Sequence, residues 1–146
     1  MTEIMENNIN LNLDICMKMS FQGKMAYPEE CCGVLIGDMD ELKIDKICSL
    51  ENSSEQSKRG DRFIIDPGEI INVEKNLEKD TESIIGIYHS HPDAEAVLSR
   101  EDEENMIPGM LYIVLSIVDE KCRDIRAYLK TEPDKEASSL KLNYVR

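Results

Sequence analysis

The segment Tyr88-His89-Ser90-His91-Pro92, followed by Ser99-Arg100-Glu101-Asp102, is the part of the chain around which the rest is organised. Both histidines of the 146-residue sequence stand in it, one residue apart. Ser83 to Tyr88, just upstream, is apolar and β-rich, so the histidines fall at the C-terminal end of a strand. Alternate strand residues share a face, which aims the two imidazoles the same way. Two imidazoles and a carboxylate suit one borderline-soft cation such as zinc. That ion takes His nitrogen and Asp oxygen and keeps its fourth position open when catalytic.

Each part of this pattern has a plainer reading. A histidine is more often a satisfied core or surface residue than a ligand. Ser99-x-x-Asp102 matches a capping box, with Ser99 as N-cap and Asp102 favourable in the first helical turn. The two readings are compatible, since a carboxylate held at a helix start can still bind a cation. Glu101, Glu103 and Glu104 read by default as a solvated helix face. A hydrolytic centre also needs a general base to take the proton of an activated water. Glu29 and Glu30 precede an apolar strand, and spacing alone does not choose between them.

Outward from this stretch, residues 1 to 10 are polar and Asn-rich and read as a disordered terminus. Leu11, Ile15, Met19 and Met25 suit one face of a helix over 11–25, which Tyr27-Pro28 ends. Cys31 to Gly37 and Leu42 to Leu50 read as strands. Glu51 to Asp61 is polar and reads as a mobile surface loop. Arg62 to Ile65 reads as a brief strand. Asp66-Pro67 starts a helix running to Lys79, with Ile70, Val73 and Leu77 inward. A helix over 99–106, closed by Pro108-Gly109, precedes strands at 110–118 and 124–130. The tail carries a short strand or helix near 140–145.

A net charge of −13 argues against nucleic acid, whose phosphates require a basic face. The longest apolar run, Leu111 to Val118, is far too short to span a bilayer. The acidic N-terminus lacks a basic region followed by an apolar stretch, which predicts no signal peptide and a cytoplasmic protein. The five cysteines include no C-x-x-C pair and read as small apolar residues in a reduced interior.

His89-Ser90-His91-Pro92, six residues, Ser99, two residues and Asp102 together resemble the signature of the JAMM (MPN-plus) metalloproteases. Pro28-Glu29-Glu30-Cys31-Cys32-Gly33 and Arg62-Phe63-Ile64-Ile65-Asp66-Pro67 resemble segments of its small prokaryotic branch. The resemblance spans roughly residues 12 to 130. It implies an α/β (α+β) fold, a curved mixed β-sheet flanked by helices, in one domain over 11–146. It further implies His89, His91 and Asp102 as ligands of one Zn2+ per chain, with water fourth. Glu30 then aligns with the general base, Ser99 with an oxyanion donor, and Ser90 takes a packing or supporting role. Ala94, Ala96 and Leu98 stand where related members often carry prolines, which predicts a less rigid loop.

That branch includes peptidases acting after the C-terminal Gly-Gly of ubiquitin-like sulfur-carrier proteins and releasing an amino acid such as cysteine. The resemblance implies this activity and partner, and the polar composition of residues 52–61 suggests a flap over the tail. The closest alternative is an isopeptidase freeing a ubiquitin-like modifier from lysine side chains. A non-catalytic scaffold ranks lower, because it has no need of all five site residues. A zinc deaminase ranks lower still, because H-x-E and P-C-x-x-C are absent. A homodimer is left open.

Overall fold

A computed structural model describes residues 8–146. In chain order the elements are β1 (Asn8–Asn12), α1 (Leu13–Ala26), β2 (Cys32–Asp38), β3 (Lys43–Leu50), α2 (Pro67–Lys75), β4 (Ser83–Pro92), α3 (Arg100–Glu104), β5 (Leu111–Val118), β6 (Lys121–Leu129) and β7 (Ser138–Val145). A 3-10 turn at Gln56–Lys58 interrupts the long loop after β3.

The sheet is mixed, in line with the expected fold class, and it closes on itself. Its order is β1-β3-β2-β4-β5-β6-β7, and parallel pairing of β1 with β7 completes the barrel. Closure therefore rests on a segment expected to be disordered. Residues 1–7 lie outside the described residues, but Asn8 to Asn10 belong to β1, with Asn10 also paired to Lys43 of β3. Ile9 and Leu11 are fully buried while the asparagines between them stay at the rim. The pattern Asn-Ile-Asn-Leu-Asn alternates with period two, a strand signal that its asparagine content disguises.

Other expectations shift with this one. Helix α1 starts at Leu13, capped by the Asn12 side chain, which accepts from the Asp14 amide at 2.7 Å. It buries Ile15, Cys16, Met19 and Gly23. Ile15 and Met19 face inward as expected, whereas Leu11 belongs to β1 and Met25 is 70% exposed. Arg62 to Ile65 forms no strand. Its backbone is spent on the loop instead: Ser53 N donates to Ile64 O, and Ile64 N to the Asn52 side chain. Helix α2 starts as expected, with Asp66 accepting from the Gly68 amide at 3.0 Å. It ends at Lys75 rather than Lys79, and Ile70, Val73 and Leu77 are only half-buried. The tail resolves as a strand, β7.

Strand β4 lies between antiparallel β2 and parallel β5. Such strands are covered on both faces and read as nearly continuous apolar runs. Leu35, Tyr88, Ile113 and Leu115 are fully buried here, and each large aliphatic side chain contributes about 1.5–3 kcal/mol. The β4–β5 approach is tight at Gly86, where a Cβ would stand 1.9 Å from the Leu111 carbonyl oxygen.

Cys16, Cys31 and Cys32 are buried, and all five cysteines are free thiols. Burial pushes Cys16 and Cys31 up to about 11 and Cys32 up to about 12. A raised thiol pKa suppresses the reactive thiolate until pH approaches the raised value. At mildly alkaline pH, iodoacetamide should alkylate the half-exposed Cys48 and Cys122 and spare the other three. Intact mass checks this; three or more adducts on the folded protein would contradict it.

Candidate metal centre

Strand β4 carries both histidines. His89 pairs with Cys32 and Val114, and His91 with Ser116, so the rings leave the sheet on one face. His89 is fully buried and His91 nearly so. Their Nε2 atoms are 3.1 Å apart, and Asp102 Oδ2 lies 3.2 Å from His89 Nε2 and 3.0 Å from His91 Nε2. Ligand atoms about 2.0–2.1 Å from a tetrahedral zinc ion stand roughly 3.3 Å from one another. The triangle and its donor chemistry therefore fit one such ion, which His89, His91 and Asp102 would hold.

Local structure prepares each donor. The Glu95 carbonyl can only accept, so its 3.0 Å contact with His91 Nδ1 places a proton there and makes Nε2 the nitrogen that faces the triangle. Burial lowers the pKa of His89 and favours its neutral form, and its Nδ1 is a buried atom without a partner. Asp102 closes a capping box with Ser99. Its amide donates to Ser99 Oγ at 2.9 Å, and its Oδ2 accepts from the Ser99 amide at 3.0 Å. Burial opposes its charge, but bonds to both imidazoles outweigh that and hold the carboxyl well below the usual range. One carboxylate thus caps α3 and faces the histidines. Ser99 Oγ acts in the cap as an acceptor, which leaves its O–H free to donate.

Glu30 is 5% exposed, and its Oε1 is buried without a hydrogen-bond partner. Burial pushes its pKa up to about 8, opposed by the charge of His91 and reinforced by those of Asp102 and Asp61. Glu30 lines a cleft of about 440 Å³ with Gly60, Asp61, His91, Glu95 and Ser99; Glu29 does not. Ser90, on the opposite face of β4 from the histidines, ties the two strands together. Its Oγ accepts from the Cys31 amide at 2.8 Å, one residue from Glu30. A second cleft of about 460 Å³ is lined by Phe63, Ile65, Ile87, His89, Asp102 and Tyr112. Of the three donor residues, His89 and Asp102 line this second cleft and His91 lines the first.

Sequence reasoning missed three participants. Phe63 stacks on His89 with ring centroids 4.5 Å apart, from a segment expected to lie in the sheet. Glu101 is exposed as expected, but it also pairs with Arg62 at 2.8 Å, and both line the second cleft. Asn52 is the third. Its side chain donates to the Glu30 and Arg62 carbonyls at 3.1 and 2.9 Å, and accepts from Ser54 N, Ser54 Oγ and Ile64 N. The Glu30 amide in turn donates to Arg59 O at 2.6 Å. The segment expected to be a mobile loop is thereby anchored at both ends to the backbone of Glu30. A buried asparagine in a polar run was the only signal, and composition alone does not reveal burial.

The loop between His91 and Ser99 is also better held than its alanines suggest. Ser116 Oγ donates to Ala94 O, Tyr128 Oη to Ala96 O at 2.7 Å, and Ala96 is fully buried. Hydrogen bonds from β5 and β6 serve where prolines would.

Replacing Asn52 by Ala strands several buried backbone groups at once. At roughly 1 kcal/mol for each lost bond, more where a group stays unsatisfied, Asn52→Ala should lower stability by about 2–4 kcal/mol. Limited proteolysis should then cut first within residues 53–61. Urea unfolding and mass mapping of the cuts check both, and a variant as stable and as resistant as wild type would refute the anchoring role.

Residues 14–129 match the family described as Prok-JAB, prokaryotic homologs of the JAB domain. A protein named desampylase from Haloferax volcanii is 31% identical over 90 residues, covering 61% of this chain and 63% of that protein. The chain thus spans somewhat under two thirds of that relative's length. A CysO-cysteine peptidase from Mycobacterium tuberculosis is 29% identical over 120 residues, covering 81% of this chain and 80% of that protein. A solved structure of a protein from Desulfitobacterium hafniense superposes with a TM-score of 0.81 at 23% identity, covering 94% of this chain and 93% of the other. With four fifths of its length inside the match, and the histidine strand and the capped aspartate both within it, this chain belongs to the prokaryotic JAB-domain family.

Proposed function

We propose that this chain is a zinc-dependent peptidase that hydrolyses the amide bond after the C-terminal Gly-Gly of a small ubiquitin-like sulfur-carrier protein, releasing an amino acid such as cysteine. One observation carries the reading above the others. Three donor atoms of His89, His91 and Asp102 converge within about 3 Å of one another, beside the buried, unpartnered carboxyl oxygen of Glu30. The similarity to proteins named desampylase and CysO-cysteine peptidase supports the substrate class.

When bound, zinc would supply Lewis acidity and lower the pKa of its water from about 15.7 towards ~7. Glu30 is the group to accept that water's proton and to deliver it to the departing amine. Its raised pKa suits a carboxyl that must hold a proton between the two steps. The Ser99 hydroxyl, unused as a donor within the cap, is the group to hydrogen-bond the developing oxyanion. An extended Gly-Gly tail has no side chains and can lie along the cleft lined by Glu30, His91 and Ser99. Gly60 and Asp61 line that cleft, and the bonds that tie Asn52 and Arg59 to the Glu30 backbone support reading residues 52–61 as its wall rather than as a flap.

The isopeptidase reaction uses the same centre and remains the second reading, favoured by the relative named desampylase. No helix among the described residues is long and apolar enough to cross a membrane.

The test is cleavage, followed by mass spectrometry, of a ubiquitin-like sulfur carrier extended by one residue beyond Gly-Gly. The same carrier joined to a lysine side chain serves as the isopeptidase arm. Wild-type protein loaded with zinc should release the extra residue. Glu30→Gln should bind zinc normally and lose turnover by a factor on the order of 10²–10⁴. His91→Ala should lose both stoichiometric zinc and activity. Near-wild-type zinc content in His91→Ala, or a normal rate in Glu30→Gln, would overturn the corresponding role. Cleavage of the lysine conjugate alone would replace the first reading with the second.

A further inference from the structure

Helix α1 lays Ile15, Cys16, Met19 and Gly23 against the barrel, and its opposite side is apolar too. Leu13, Met17, Phe21 and Met25 recur every four residues and are 40%, 69%, 63% and 70% exposed. Residues four apart on a helix are surface neighbours, so these side chains form one continuous row. Scattered exposed apolar side chains need no explanation, whereas a contiguous patch marks an interaction surface. Of the ten large apolar side chains exposed among the described residues, four stand in this row.

The row is self-complementary. If two copies of α1 lie antiparallel about a two-fold axis at Met19, Leu13 faces Met25 of the other copy and Met17 faces Phe21. The same operation sets Asp14, in the first turn, against Lys24, in the last. Both residues already suit the helix dipole within one copy. A two-fold contact requires one patch to complement itself, which this arrangement satisfies in the order of its apolar residues and in charge. Local charge favours the same occupant. The chain carries −13 overall, so most surfaces of two copies repel, yet α1 bears Lys18 and Lys24 against Asp14 alone. Of the residues that line the two clefts, none belongs to α1, so a partner on this face leaves the site open.

We infer that the exposed face of α1 is a homodimer interface, in which two copies pair this helix antiparallel through Met17 and Phe21, with Asp14 of each against Lys24 of the other.

Sedimentation velocity of the full chain, from low to high micromolar concentration, tests this. Wild type should pass from chain mass to twice chain mass. Phe21→Asp should weaken the dimer at least about tenfold, that is by about 1.4 kcal/mol or more. Its thermal melt and peptidase activity serve as folding controls. Asp14→Lys and Lys24→Asp should each weaken the dimer alone, because each sets like charges opposite one another. Their equimolar mixture should restore it, because each variant then meets its complement. The mixture removes any objection from the helix dipole, since each variant carries the same helix alone and mixed. A monomer at every concentration, or a dimer untouched by Phe21→Asp, would overturn the inference. A mixture no more dimeric than its parts would overturn the antiparallel pairing.

Discussion

Strand β4 is hydrogen-bonded along both edges, to β2 on one side and β5 on the other, and the site hangs from that double pairing. A strand held on both sides cannot rotate or slip without breaking two ladders, and a slip of one residue would turn both histidines to the opposite face. The same pairing sets His89 beside Cys32, and so brings the start of β2, with Glu30 just before it, to the histidine side. Gly86 permits the close approach of β5 that completes the arrangement. Precision at the centre is thus inherited from the sheet, which is the most rigid part of the fold.

The site concentrates groups that a stable interior avoids. Glu30 Oε1 and His89 Nδ1 are buried without partners, and Asp102 is a half-buried carboxylate. Unsatisfied buried polar atoms cost on the order of 1–3 kcal/mol each. The surroundings offset this by over-determining the geometry. The capping box holds Asp102, the Glu95 carbonyl holds His91, Phe63 covers His89, and Asn52 secures the backbone of Glu30. Perturbed titratable groups at one place, each with a physical cause, are what a catalytic cleft would be expected to show.

The segments that sequence reading misjudged share a cause. β1 and Arg62 to Ile65 are short, residues 51–61 are a loop, and the partners that decide how each is held lie outside the segment itself. β1 is a strand because β3 and β7 offer it edges. Arg62 to Ile65 is not one, because its backbone bonds go to the loop after β3. The two ends of the expected α1 face failed, since Leu11 belongs to the strand before the helix and Met25 is exposed, while Ile15 and Met19 between them are buried as expected. By contrast the N-caps at Asp66 and Ser99 were legible, because capping is settled within three or four residues.

The sequence by itself determined what depends on near neighbours. Period two aims His89 and His91 together, Ser99-x-x-Asp102 builds its own helix start, and Tyr27-Pro28 ends α1. These outcomes follow from local sterics and local hydrogen bonds, which any tertiary context would respect. The choice of Glu30 over Glu29, which spacing left open, came from the family resemblance and agrees with the cleft lining. The tertiary structure alone decided that the sheet closes and that Asn52 and Phe63 support the centre. Each of these depends on atoms brought together across tens of residues, and no short-range pattern records which distant backbone will supply the partner.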